Sequence, residues 1–455
     1  MEPICHPERI DRYVISGVIG HGGMATVYRA VAPEDGRLVA LKVLAPSEPL
    51  RETLGMETLR ALFEAEMAIM SGLRHANVAE ILDRGESRGR AYYAMELFCA
   101  NLGTMLGEHY RVEESSRQVP PEKAIAYAGQ VLAGLAYIHT AGIIHRDIKP
   151  FNMLLSEGDT IRICDFGMAR HLTGQAFAAP GIRIGSPYYT APEQIGNPEK
   201  ADRRADLYAT GVLLYRMLTG ELPAMKGFML SRVNPRYGED WDAFFARALS
   251  WRPAARFQDA AEMAAALLRL QLNPRPAHRE KPPCNHDRSS PLRSSPLRIA
   301  GDKARKIFAV DRLWQPLTPV CSRLAERDGE TVLDEATGLV WQRRIAPLLL
   351  NREEATALID DLNAGRIGGI AGWRLPTVNE LLSLPRENAL FLDDAPNGSF
   401  SGERNWFWSC DRRSETTSWF VNTAIGYAGW QENCCRFAVR AVATFQSFQQ
   451  NGGEP

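Results

Sequence analysis

The chain has 455 residues, which at about 150 residues per domain suggests about three folding units. Its 45% hydrophobic and 24% charged residues are ordinary globular usage, excluding a wholly disordered, collagen-like or coiled-coil chain. With 53 basic against 54 acidic residues the net charge is -1, so no global field for nucleic acid or an anionic membrane arises. Eight scattered cysteines are too few for a disulfide scaffold.

No run reaches the roughly 20 apolar residues of a spanning helix. The most apolar stretches, 260–272 and 345–350, are short or broken by Glu262 and Arg269. The first residues, MEPICHPERIDRY, lack the apolar core of a signal peptide. With cysteines this sparse, the expectation is a cytoplasmic chain in a reducing compartment, with no membrane span and no nucleic-acid partner.

In chain order, residues 13–44 alternate apolar and polar side chains around glycines, which predicts strands. Residues 59–73 and 122–139 carry apolar residues at helical spacing, and 260–270 predicts an amphipathic helix. Inside the strand-rich part lies Ile19-Gly20-His21-Gly22-Gly23-Met24-Ala25-Thr26-Val27-Tyr28. Glycines there let backbone amides approach phosphate oxygens, although Ala25 stands where the usual pattern has a third glycine. Val39-Ala40-Leu41-Lys42 follows, with the lysine 22 residues after Gly20. Then come Phe63-Glu64-Ala65-Glu66 on a predicted helix, His145-Arg146-Asp147-Ile148-Lys149-Pro150-Phe151-Asn152, Asp165-Phe166-Gly167 and Ala191-Pro192-Glu193.

This ordered set, over residues 10–272, resembles the eukaryotic-like (Hanks-type) serine/threonine protein kinases of bacteria. The resemblance implies ATP and Mg2+ as cofactors and protein hydroxyls as acceptors. It places Lys42 on the α and β phosphates and Glu66 as its partner. Glu64 is the rival on the same helix, but Glu66 has the family's spacing of nine residues before His75. Asp147 would orient the acceptor hydroxyl and take its proton, and Lys149 would neutralise the γ-phosphate. Asn152 and Asp165 offer the hard oxygens that magnesium prefers. Ile19, Gly20, Gly22, Gly23 and Val27 would cover the nucleotide. Met95 would be the gatekeeper, and the backbone of Glu96 and Phe98 would bond adenine. Asp206 resembles the buried aspartate that braces the catalytic loop, and Glu193 with Arg256 the ion pair of the large lobe. Cys164 reads as a small buried hydrophobe and His145 as a packed loop histidine.

Lys149 after Asp147, and Gly185-Ser186 before Pro187-Tyr188-Tyr189, resemble serine/threonine rather than tyrosine kinases. Arg146 usually accompanies control by an activation-segment phosphate, yet residues 168–185 hold one hydroxyl residue, Thr173. Strong self-activation through that segment is therefore not expected. The alternative class is a pseudokinase scaffold carrying a lectin-like binding domain, with a diversified receptor as one form of it; the intact Lys42, Asp147, Asn152 and Asp165 argue against it.

All nine histidines lie at or before His286, and seven of nine tryptophans at or after Trp314. Between them residues 273–306 hold nine basic and three acidic residues and the tandem SSPLR-SSPLR. Such a composition cannot bury enough apolar surface to offset its ordering entropy and reads as a linker. Its serines Ser289, Ser290, Ser294 and Ser295, each near an arginine, are phosphosite candidates for the tethered enzyme.

Beyond the linker, 331–341 predicts strand, turn and strand. Asn351 would cap a helix through Leu362 with Gly365 as its stop, and Thr377 with Glu380 forms a capping box. Residues 406–409, 419–422 and 436–441 predict short strands. The TGLVW and GWRLPTVNELLSL segments, with the later tryptophan strands, resemble the C-terminal domain of Lcl collagen-like adhesins, related in fold to C-type lectins and formylglycine-generating enzymes. The cysteines Cys410, Cys434 and Cys435, with no histidine, do not match that enzyme's reactive pair, so the expected role is binding a ligand or protein. Trp406, Trp408 and Trp430, beside polar residues in predicted loops, are the surface candidates. An aromatic-polar tip on a lectin-like fold also resembles target proteins of diversity-generating retroelements.

The expected architecture is α+β: a bilobal protein kinase fold over 1–272 (small lobe about 10–97, large lobe about 98–272), a disordered linker over 273–306, a small C-type-lectin-like α+β domain over 307–446, and a tail over 447–455.

Overall fold

Alternation around the N-terminal glycines produces strands, and their register decides what faces the cleft. The computed structural model describes residues 8–108, 112–156, 158–171, 188–223, 229–270, 292–318, 322–384 and 404–444. The chain falls into two compact units whose boundary in the sequence lies at Pro274.

The first unit opens with β1 (Arg9–Ile10), β2 (Tyr13–His21), β3 (Ala25–Val31), β4 (Leu38–Leu44), α1 (Glu48–Leu54), α2 (Met56–Ser71), β5 (Ile81–Ser87) and β6 (Arg90–Glu96). The strands form one antiparallel sheet in the order β1-β2-β3-β4-β6-β5. Val27 pairs with Lys42, Lys42 with Tyr93, and Ala40 with Met95. Directly paired residues share a face and alternate residues return to it. Val27, Ala40, Lys42, Tyr93 and Met95 therefore lie on one face of the sheet. On α2 the buried residues are Leu59, Phe63, Glu66 and Met70, a 4-3-4 spacing that turns one helical face inward.

The larger part adds β7 (Ala100–Asn101), α3 (Leu102–Leu106), α4 (Pro121–Thr140), β8 (Ile143–Ile144), β9 (Met153–Leu155), β10 (Ile161–Ile163), β11 (Arg170–His171), α5 (Pro192–Gly196), α6 (Arg204–Thr219), α7 (Leu230–Val233), α8 (Glu239–Ala248) and α9 (Ala260–Arg269). Helix α4 starts on a proline, whose missing N–H is no loss in the first turn, and buries Ala124, Tyr127, Val131, Leu135 and Ile138. Gly134 on it permits a close approach: a Cβ there would lie 2.9 Å from the Asn77 carbonyl oxygen. Helix α6 is buried along nearly its whole length and ends on Gly220 at φ +75°, a left-handed cap that a side chain would strain.

Two buried arginines tie these helices to the loops. Arg216 pairs with Glu108 at 3.0 Å and donates to the carbonyls of Val112 and Glu114 at 3.0 and 2.7 Å. Arg256 forks onto Glu193 at 2.7 and 2.8 Å and donates to Ser250 O at 2.7 Å. No helix among the described residues is long and apolar enough to cross a membrane.

The second unit contains α10 (Gly301–Phe308), β12 (Leu324–Glu326), β13 (Thr331–Asp334), β14 (Leu339–Gln342), α11 (Arg352–Ala364), α12 (Val378–Ser383), β15 (Trp406–Arg412), β16 (Thr417–Asn422), β17 (Tyr427–Glu432) and β18 (Val442–Thr444). They form two antiparallel sheets, β12-β13-β14-β18 and β15-β16-β17. Both capping predictions match: Asn351 and Glu354 close the N-terminus of α11, which stops at Gly365, and Thr377 with Glu380 closes α12. Residues 436–441 are an extended stretch, bridging Leu350 to Phe437 and Phe407 to Ala438, rather than a full strand.

Two expectations need correction. Trp406 and Trp408 are not at the surface; they lie on β15, and Trp408 is fully buried with its indole N–H on Leu350 O at 2.9 Å. Strand β15 is covered on both faces, so its polar residues Ser409 and Asp411 are buried along with the tryptophans and mark no surface. Trp430 is the exposed member of that trio, with the Arg413 guanidinium 4.6 Å from its ring centre. The linker read over 273–306 also divides: 271–291 lie outside the described residues, whereas 292–306 are ordered on the second unit. Leu292 and Ile299 pack against its core, and Ala304 and Phe308 are buried members of that core. The charge count concealed this because Ala304 and Phe308, four apart, put one apolar stripe on an otherwise charged helix. Finally, Cys164 and Cys410 carry free thiols, whereas Cys99 and Cys435 are each disulfide-bonded.

Removing one partner of a buried pair strands the other charge, at a cost of about 3–5 kcal/mol. Arg256→Ala is expected to destabilise the first unit by that amount, measured as faster hydrogen exchange at the slowest amides of α6.

Candidate active site

The glycine-rich turn joins β2 to β3 and closes on itself through Gly22 N donating to Ala25 O at 2.8 Å. It roofs a cleft of about 650 Å³ lined by Ile19, Gly20, Gly22, Gly23, Val27 and Lys42, by Met95, Glu96 and Phe98, and by Asp147, Lys149, Asn152 and Asp165. The sequence thus named residues from five separate segments that the fold brings to one cavity. Glu66 joins them through Lys42: its carboxylate oxygens lie 2.7 and 3.0 Å from Lys42 Nζ. Glu64 points to solvent and accepts from Arg60 at 2.8 Å, which decides between the two carboxylates.

Lys42 Nζ also reaches Asp165 Oδ1 at 3.1 Å. Burial alone would lower the Lys42 ammonium, but Asp165 and Glu66 outweigh it and hold it well above the usual lysine range. The Lys42 charge in turn pulls the Asp165 carboxyl down to about 2. Burial pushes the Glu66 carboxyl up, with Lys42 acting in the opposite direction.

One residue of this network escaped the sequence reading. The Tyr93 hydroxyl donates to Glu66 Oε1 at 3.0 Å, and its ring centre lies 5.7 Å from Lys42 Nζ. Burial and the neighbouring Glu66 push its phenol well up, so it remains a donor. Its trace in the sequence is only the two-residue spacing to Met95; its place opposite Lys42 comes from the pairing of β4 with β6. The wall formed by Leu50, Leu54, Leu59 and Leu62 was also missed: no element was placed at α1, which carries Leu50 and Leu54, and the helix read over 59–73 was not assigned to the cleft.

Across the cleft, Asp147 Oδ2 accepts from Lys149 Nζ at 2.7 Å and from Asn152 Nδ2 at 3.0 Å, and Asn152 also donates to Asp147 O at 2.8 Å. Among the described residues Oδ1 accepts none. The loop carrying Asp147 is held from below by Asp206, whose oxygens accept from His145 N at 2.9 Å and Arg146 N at 2.7 Å and meet His139 Nε2 at 2.8 Å. Burial would push the Asp206 carboxyl up; His139, His145 and the Arg146 amide outweigh it and keep it low. Arg146 and Asp165 both have positive φ, +68° and +64°, conformations that persist for non-glycine residues only where the surroundings over-determine them. His145 is fully buried, edge-on to Phe166 at 4.8 Å between ring centres, with Nε2 on Cys164 O at 3.1 Å. Burial pushes the Cys164 thiol far up, as befits a small packed hydrophobe. Thr173, Gly185 and Ser186 lie outside the described residues.

Residues 13–280 match the family described as "Protein kinase domain", and residues 330–443 match the "Lcl C-terminal domain". The serine/threonine-protein kinase PknL of Mycobacterium tuberculosis is 32% identical over 271 residues, covering 56% of this chain and 65% of that protein. PknJ of the same organism is 34% identical over 274 residues, covering 55% and 44%. Pkn2 of Myxococcus xanthus is 37% identical over 218 residues, covering 47% and 25%. This chain thus spans less than two thirds of each of these relatives. The solved kinase domain of PknI from Mycobacterium tuberculosis is similar at 27% identity and TM-score 0.44, covering 57% of this chain and 96% of that one.

A hydrogen bond to a charged group contributes about 1.5–3 kcal/mol. Tyr93→Phe, which keeps the ring and loses that donor, is expected to lower kcat/KM by about tenfold and leave the fold intact. Steady-state kinetics with a generic basic peptide read this out.

Proposed function

The chain belongs to the protein kinase family, and we propose that it transfers the γ-phosphoryl group of ATP to serine and threonine hydroxyls of proteins. The observation that carries this reading is that Lys42, paired with Glu66 and Asp165, lines one cleft with Asp147. A transferring phosphoryl group is spread negative charge, so catalysis is chiefly positioning and cations.

Lys42 would grip the α and β phosphates while Glu66 and Tyr93 hold its ammonium in place. Asp147 is oriented through Oδ2, which leaves Oδ1 to accept the proton of the acceptor hydroxyl as the oxygen attacks phosphorus. Lys149 would shift from Asp147 to the γ-phosphate as charge develops there. Asn152 commits its amide nitrogen to Asp147, leaving its carbonyl oxygen, and Asp165 is an ionised carboxylate. Those are hard oxygen donors that suit magnesium, which when bound neutralises charge on the phosphates. The backbone of Glu96 and Phe98 would take the adenine, with Met95 behind it. Asp206 and the Glu193–Arg256 pair are architectural in this reading. A serine/threonine preference rests on Lys149 and on Gly185-Ser186.

For the second unit the reading is a C-type-lectin-like module that binds a protein or ligand, with Trp430 and Arg413 as the contact. The cytoplasm is the location that goes with this reading.

Asp147→Asn is expected to lower phosphoryl transfer by orders of magnitude while ATP still binds, because the loss is in transition-state positioning. Lys42→Met should behave likewise. Transfer from radiolabelled ATP to a generic basic substrate, with nucleotide binding measured in parallel, checks both; near-normal turnover by Asp147→Asn would remove the assignment. Thr173→Ala is expected to keep at least about a third of wild-type activity, under ~1 kcal/mol of barrier. A hundredfold loss in the same assay would show that Arg146 depends on a phosphate there.

A further inference from the structure

We propose that Ser294 and Ser295 are phosphoacceptors of this kinase, and that a phosphate on either releases residues 292–308 from the second unit by breaking the Arg293–Asp411 pair. The proposal rests on the kinase reading and deepens it by naming a substrate segment and its consequence.

Asp411 has no exposure to solvent. Its carboxylate accepts from Arg293 at 2.8 and 2.6 Å, from Leu297 N at 2.9 Å and from Val378 N at 2.9 Å. Three of these four donors come from one short segment. The bonds that fasten the segment are therefore the bonds that compensate the buried charge. Downstream the fastening continues: Ile299 N donates to Arg412 O at 2.9 Å, and the Trp419 indole N–H donates to Ile299 O at 2.9 Å. Helix α10 then seats Ala304 and Phe308 in the core.

Ser294 and Ser295 lie between the two anchors Arg293 and Leu297, and both side chains face solvent. Arg293 Nη1 bonds to the Ser295 carbonyl as well as to Asp411. A phosphate on either serine brings about -1.5 to -2 charges to within two residues of that guanidinium, which forks readily onto phosphate. Arg293 cannot serve both anions. A buried Asp411 without it is a strongly disfavoured state, so the segment leaves. While fastened, the segment has its backbone committed and cannot enter the cleft as an extended substrate. Phosphorylation thus acts on the transiently open form and retains it, a shift of population. In the transfer the serine Oγ forms a bond to the γ-phosphorus, the bond from that phosphorus to the β,γ-bridging oxygen breaks, ADP leaves, and the hydroxyl proton passes to Asp147. The first copy of the repeat, with Ser289 and Ser290, lies outside the described residues.

The test is hydrogen exchange and phosphosite mapping on the full chain. After incubation with Mg-ATP, phosphate is expected on Ser294 or Ser295, and peptides within 292–308 should exchange at least tenfold faster, with α11 unchanged. The double variant S294E/S295E and the variant Arg293→Gln should show the same acceleration without ATP. The variant S294A/S295A should stay slow with ATP while still phosphorylating a generic substrate. If the generic substrate is phosphorylated and Ser294 and Ser295 remain bare, this inference fails and the kinase reading stands. If no substrate is phosphorylated, the kinase reading fails, and with it the acceptor assignment. Exchange that is unchanged or slower in S294E/S295E overturns the release independently of any kinase activity.

Discussion

A carboxylate without access to water has to be compensated from inside the protein, and Glu66 is such a group. Each partner comes from a different element: Lys42 from β4, Tyr93 from β6, and Asp165 indirectly through Lys42. The desolvation cost of the charge is met only when the helix, the sheet and the Asp165 loop are all in register. The small lobe therefore has one arrangement in which its buried charge is satisfied, and in that arrangement the ammonium points into the cleft. An apolar residue at position 66 would pack as well on α2 and would fix none of this.

The same logic supports the opposite wall. Asp206 sits in the first turn of a helix that is buried along nearly its whole length, and it takes hydrogen bonds from two successive amides of the loop that carries Asp147. Those amides point one way only if Arg146 adopts its left-handed conformation. The strain at Arg146 is local, the compensation is buried, and Asp147 is held as a result. Arg256 and Arg216 repeat the device further out, each joining a loop to the helical core through a carboxylate and backbone carbonyls. Directional, buried bonds thus hold the places where chain direction changes, while apolar packing fills the space between them.

Much of the candidate site was legible because each motif is a chemical requirement at a nearly fixed spacing. Lys42, Asp147, Asn152 and Asp165 could be named before any fold was known, and the nine-residue spacing to His75 already favoured Glu66 over Glu64, a choice that the burial of Glu66 matches. What escaped was set by tertiary contacts. Tyr93 acquires its role only because β4 and β6 are adjacent in the sheet although 48 residues lie between Lys42 and Ala91. Trp406 and Trp408 were misplaced because their polar neighbours Asn405 and Ser409 read as signs of a surface, whereas tertiary contacts bury those residues as well. The ordering of 292–306 was hidden because a charge count averages over a segment, whereas burial depends on where its few apolar residues fall. Leu292, Ile299, Ala304 and Phe308 are four positions among many polar ones, and they are enough once Trp314 and Trp419 supply a surface to receive them.

The two kinds of attachment in the second unit differ in what a single change can do to them. The aromatic contacts, such as Phe308 against Trp419 at 5.0 Å and Trp314 against Trp419 at 4.9 Å, are non-directional and accumulate with area. Losing one leaves a gap that neighbours partly fill. The bond between Arg293 and Asp411 behaves otherwise, because removing the guanidinium leaves a charge that cannot remain where it is. The first unit draws both members of its buried pairs, Lys42 with Glu66, Arg216 with Glu108 and Arg256 with Glu193, from its own body, which makes them permanent. The second unit draws one member of this pair from the end of a linker, which makes it conditional. A segment fastened by area alone would loosen gradually under perturbation; one fastened through a buried carboxylate is either seated or gone.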